Sequence, residues 1–103
     1  MKIVVMKFGG TSVRDQAIRF QALNHIRREV NDHYKVVVVV SAMGRSGEPY
    51  ATDTLRHLIS YHISKRENDR LLSCGEIISS IVMSDFLQQQ GLKATALDVD
   101  EVG

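Results

Sequence analysis

The 103-residue sequence contains a single cysteine, Cys74, and a single proline, Pro49. One thiol excludes an internal disulfide and any cysteine-based metal cage, and it suits a reducing compartment. An excess of charge of one sign is also lacking. The formal net charge is +1, so no global field draws the chain to nucleic acid or to an anionic membrane. Long apolar runs are missing. The opening run, Ile3 to Met6, is far shorter than a signal-peptide core, and no stretch approaches the ~20 apolar residues that span a bilayer. His25, His33, His57 and His62 do not stand in metal-ligand spacing and read as surface residues. No repeat, low-complexity tract or linker is present. These absences leave a cytoplasmic chain of one domain at most, whose function rests on local sites.

What is present has the pattern of a layered α/β protein. Lys2 to Phe8 is rich in β-branched residues and stops at Gly9-Gly10, which predicts a buried strand. Thr11 and Ser12 are N-cap candidates for a helix whose apolar positions are Val13, Ala17, Phe20, Leu23, Ile26 and Val30. Asn31-Asp32-His33 ends it. Val36 to Val40 is apolar on both faces, as expected of a parallel strand with helices on each side. A polar loop from Ser41 to Thr52 follows. A second helix is expected from Thr52 or Asp53, with Leu55, Leu58 and Ile59 inward. Ser64 to Asp69 reads as loop, and a long helix is predicted from about Arg70 to a C-terminal glycine, Gly91. Lys93 to Leu97 is a candidate third strand. Helices between buried strands imply a parallel sheet. Three strands ending just before Gly103 leave an open edge, so the chain is expected to be truncated or covered by something else.

Three segments stand out chemically. Lys7-Phe8-Gly9-Gly10 joins a strand to a helix, where adjacent glycines admit a phosphate and a helix N-terminus favours it. It is equally a tight turn with Lys7 at its edge, and it matches neither a P-loop nor a dinucleotide fingerprint. Ser41-Ala42-Met43-Gly44 also follows a strand; its serine suits an anionic ligand or simply a turn. Gly75-Glu76 lies inside an apolar helical run. There glycine costs ~1 kcal/mol relative to alanine, and the carboxylate either meets a cationic partner or is solvated at the helix edge.

Taken together, Lys-Phe-Gly-Gly-Thr-Ser-Val at residues 7 to 13, Val-Val-Val-Ser-Ala-Met-Gly at 38 to 44 and Ser-Cys-Gly-Glu at 73 to 76 resemble, in order, the motifs of aspartate kinases within the amino acid kinase family. The resemblance implies a three-layer αβα sandwich with a mainly parallel sheet, truncated to the N-terminal portion of the kinase domain. It implies transfer of the γ-phosphoryl of ATP to aspartate, giving 4-phospho-L-aspartate for lysine, threonine and methionine synthesis.

On the same resemblance, Lys7, Phe8, Gly9, Gly10 and Thr11 hold the ATP phosphates, with Lys7 stabilising the transferred group. Ser41, Thr52 and Glu76 hold aspartate, the glutamate taking its ammonium; Ser46 competes with Thr52, which is preferred because it looks like the helix cap, and Thr52 also reads as a cap alone. Mg²⁺ would arrive with ATP, and no protein ligand for it is identified. Cys74 reads as a packing residue. The family's later Gly-Arg-Gly-Gly-Ser-Asp segment and regulatory domains have no counterpart in residues 1–103, so this chain alone is expected to be inactive. The alternatives are a non-catalytic binding or assembly module, and a related kinase with another substrate. Expected partners are aspartate, ATP, and copies of the chain or other segments of a longer enzyme, with no nucleic acid or membrane.

Overall fold

The computed structural model describes residues 2–10, 15–44, 47–60 and 62–97. In chain order the elements are β1 (Ile3–Phe8), α1 (Gln16–Asn31), β2 (Lys35–Val40), α2 (Thr52–Arg56) and α3 (Lys65–Gln89). β1 and β2 pair in parallel, Ile3 opposite Lys35 and Phe8 opposite Val40. The parallel sheet and helical crossover are the α/β arrangement expected from the sequence.

Burial alternates along both strands. Met6, Phe8, Val36, Val38 and Val40 turn toward a core built from Ala22, Leu23 and Ile26 of α1 and Met83, Phe86 and Leu87 of α3. Leu23 is 2% exposed, and burial of such a side chain stabilises the fold by about 1.5–3 kcal/mol. The Phe20 and Phe86 rings meet edge to face at 5.1 Å. Arg27 donates to the Gln90 carbonyl at 2.5 Å, placing a cation at the C-terminus of α3. Both long helices therefore share one face of the sheet. On the other face Ile3, Val5, Val37 and Val39 are exposed, so the described residues supply two layers of the sandwich. The both-face apolarity of the valine run is accounted for on one side only.

Helix boundaries follow local hydrogen bonding. Thr11, Ser12 and Val13 lie outside the described residues. The N-cap of α1 is Asp15, whose carboxylate accepts from the Ile18 N–H at 2.9 Å. His33 ends the turn after α1 at φ 67°. The long helix begins at Lys65 rather than near Arg70, because Ser64 caps it through the Glu67 N–H at 3.2 Å. Ser64-x-x-Glu67 is the sequence form of a capping box, and it overrides the charged, loop-like composition of this stretch. At the other end Gly91 has φ 89°. Gly91 N–H bonds Gln88 O and Leu92 N–H bonds Leu87 O, a Schellman closure as the glycine implied.

Three expectations need correction. α2 stops at Arg56, so Leu55 is buried while Leu58 is 71% exposed. Residues 93–97 pair with no strand among the described residues. They and β2 line one apolar groove of about 1220 Å³, together with Ile77, Leu87 and Leu92 among others. β-propensity without a partner strand makes no ladder. Finally, α3 is by length and composition apolar enough to cross a membrane. It buries Gly75, Ser79, Met83, Ser84, Phe86 and Leu87 inside the protein and leaves Ile77 and Ile81 exposed.

Candidate functional site

Parallel pairing brings the carboxyl ends of β1 and β2 side by side, and the loops that leave them are joined by backbone hydrogen bonds. Ser41 N–H donates to the Phe8 carbonyl at 3.2 Å, extending the ladder by one rung. Gly44 N–H donates to the Gly10 carbonyl at 3.2 Å. In open α/β sheets this strand-end crevice is where ligands sit.

The two glycines of the first loop differ. A Cβ at Gly10 would lie 2.2 Å from the Ala42 carbonyl oxygen and 3.2 Å from that of Gly44, so glycine is required there by the chain's own backbone. A Cβ at Gly9 would meet nothing within 4 Å among the described residues. Gly9 is exposed and is not among the glycines with positive φ. Neither crowding nor backbone strain explains a glycine at that position. Lys7, also exposed, lies opposite Val39 on the outer face of the sheet. Phe8 turns the other way and packs against the core. Thr11 lies outside the described residues.

In the second loop Ser41 is half-buried and Ala42 is buried. Gly44 and Gly47 take positive φ, 94° and 92°, and so turn the chain back toward α2. Ser46 lies outside the described residues. Thr52 is exposed and is the first residue of α2, not its cap; Ala51 occupies the cap position, with no side-chain bond to the helix. Thr52 is therefore not the cap of α2, which removes both the reading of it as a cap alone and the ground on which the sequence prefers it to Ser46.

α3 passes close to both of these segments. Gly75 is buried; a Cβ on it would come within 3.0 Å of the Ala42 Cβ, 3.1 Å of Leu55 Cδ1 and 3.1 Å of the Tyr50 carbonyl. The next residue, Glu76, is exposed and stands at the rim of the apolar groove. Cys74 is exposed and donates to the Arg70 carbonyl at 3.4 Å. Its expected packing role is not seen among the described residues. Sequence reasoning passes over Ala42, because a buried alanine in a loop carries no chemical signal. The buried hydroxyl of Ser79, one turn from Gly75, has no hydrogen-bond partner among the described residues. Among the described residues no three His, Cys, Asp or Glu side chains cluster as a metal site would require.

Comparison with known proteins bears on this arrangement directly. The family model described as the amino acid kinase family matches residues 2–103. The chain is 56% identical to Aspartokinase 1 of Bacillus subtilis over 106 residues, covering all of this chain and 26% of that protein. It is 45% identical to the aspartokinase of Geobacillus stearothermophilus, covering 94% of this chain and 23% of the relative. The crystal structure of aspartate kinase from Synechocystis superposes with a TM-score of 0.72 at 41% identity, over 85% of this chain and 15% of the other. The chain thus spans about a quarter of the length of the curated relatives it matches. A match running from the first strand to the last residue, with the same backbone path in a solved relative, makes this chain a member of the amino acid kinase family.

Proposed function

We propose that this chain serves an aspartate kinase reaction, in which the γ-phosphoryl of ATP passes to the side-chain carboxylate of aspartate. The observation that carries the reading is the contrast between Gly9 and Gly10. Gly10 is glycine because the Ala42 carbonyl leaves no room for a side chain. Gly9 has room among the described residues, yet is glycine beside a lysine at a strand end. A phosphate approaching the backbone there would account for it.

In this reading Lys7, Gly9 and Gly10, with backbone from Phe8 and Thr11, hold the ATP phosphates. The Lys7 ammonium follows negative charge onto the transferring group. Ser41 and Thr52 hydrogen-bond the aspartate, and Glu76 accepts from its ammonium. The carboxylate oxygen attacks phosphorus, the bond to the ADP oxygen breaks, and the products are ADP and 4-phospho-L-aspartate. Mg²⁺ enters on the nucleotide's phosphates. The names of the similar bacterial proteins support aspartate as the acceptor. The setting is cytoplasmic synthesis of lysine, threonine and methionine.

The test is ADP release and acyl phosphate formation from ATP and aspartate. It is run on residues 1–103 alone and on residues 1–103 joined to the remaining three quarters of the Bacillus subtilis relative. Aspartate-dependent ADP release by the joined form is expected. Turnover of glutamate in place of aspartate, or of neither, overturns the reading.

The free edge of β2 and the exposed Ile3, Val5, Val37 and Val39 favour a second reading, an assembly module that pairs with another copy of the chain. Sedimentation of residues 1–103 across a concentration series separates the two. Self-association without turnover in either form supports the module.

A further inference from the structure

We infer that Ala42, clasped between Gly10 and Gly75, is a positioning residue that sets the separation between the phosphate-facing turn and the aspartate-facing residues; this rests on the kinase reading above. Ala42 is 7% exposed. On one side its carbonyl lies where a Cβ of Gly10 would be. On the other, its Cβ lies 3.0 Å from where a Cβ of Gly75 would be, and the Tyr50 carbonyl and Leu55 close the same space at 3.1 Å.

Each of these neighbours adjoins one of the proposed ligand residues. Gly10 follows Gly9, Ala42 follows Ser41, Tyr50 precedes Thr52 by two, and Gly75 precedes Glu76. The backbones that carry the donor side and the acceptor side of the reaction therefore meet at one residue, the first against its carbonyl and the second against its methyl group.

A glycine inside a helix costs about 1 kcal/mol relative to alanine. At its far end α3 packs through the large side chains of Met83, Phe86 and Leu87, whereas at residue 75 it packs through backbone alone. That difference brings α3 nearer the strand-end loops than any side chain would allow. Phosphoryl transfer requires such closeness, because displacement of a reacting group by about 1 Å can lower the rate about 100-fold.

The test uses residues 1–103 joined to the remainder of the Bacillus subtilis relative. Gly75→Ala is expected to raise the KM for aspartate about tenfold or more while the KM for ATP stays within about twofold, since it moves only the acceptor side. Adding Ala42→Gly to Gly75→Ala removes the tightest of the three contacts, leaving those to Leu55 and the Tyr50 carbonyl, and is expected to recover part of that loss. Equal changes in both KM values, or no recovery in the double variant, overturn the inference. The unsubstituted protein's choice of acceptor tests the kinase reading separately; with another acceptor, that substrate's KM is read instead. Thermal unfolding reads the contact without any turnover. Gly75→Ala is expected to lower Tm more when Ala42 is present than in the Ala42→Gly background, and equal shifts overturn the spacer role.

Discussion

The backbone N–H of Gly44 bonds the carbonyl of Gly10 at 3.2 Å, locking the turn after the first strand to the loop after the second. Residues 34 positions apart in sequence thereby share one backbone hydrogen bond at the carboxyl end of the sheet. Disturbing that lock and disturbing the ligand surface beside it are separable experiments.

Gly10→Ala forces a Cβ to within 2.2 Å of the Ala42 carbonyl, which no side-chain rotation relieves. Overpacking of this kind costs typically about 1–3 kcal/mol. Urea unfolding is expected to show that loss, with turnover of the joined form falling in parallel.

Gly9→Ala meets no described neighbour. Stability is expected to stay within about 0.5 kcal/mol, while the KM for ATP rises about tenfold or more. A paired measurement of unfolding midpoint and ATP dependence checks this. An unchanged KM would show that no phosphate uses the space.

Lys7→Met removes an exposed cation, so the fold should be indifferent to it. Loss of a charge aimed at the transferring group is expected to lower kcat about 100-fold or more. Glu76→Gln should instead act on the KM for aspartate and leave that for ATP unchanged. Steady-state kinetics with each substrate varied in turn distinguishes the two.

Ser64→Ala removes the hydroxyl that accepts the Glu67 N–H. A destabilisation of about 1 kcal/mol is expected, with helix content reduced at the start of α3. Circular dichroism during urea unfolding provides the measurement.

Ser79→Ala works in the opposite direction. Its hydroxyl is buried without a partner among the described residues, and an unmade hydrogen bond of this kind costs about 1–3 kcal/mol. The variant is expected to be at least as stable as the parent in the same urea assay.

Local sequence was sufficient wherever a local hydrogen bond or a period decides the structure. β1 and β2 followed from their β-branched runs, the C-terminus of α3 from Gly91, and the end of α1 from Asn31-Asp32-His33. The start of α3 was also written locally, in Ser64-x-x-Glu67, although the surrounding charges pointed to a loop. Of the candidate site, the positions of Lys7, Gly9, Gly10 and Ser41 at strand ends were legible because a strand's end is marked by its own residues.

Tertiary contact decided the rest. Residues 93–97 carry a strand-like alternation, but a strand exists only beside a partner, and among the described residues they line a groove with β2 without pairing to it. Both long helices lie on one face of the sheet, a choice the two-faced apolarity of Val36–Val40 does not encode. Gly9 and Gly10 are the same residue in sequence. Only the approach of Ala42 makes one a packing necessity while the other meets no described neighbour, because free space beside a backbone is set by what folds against it.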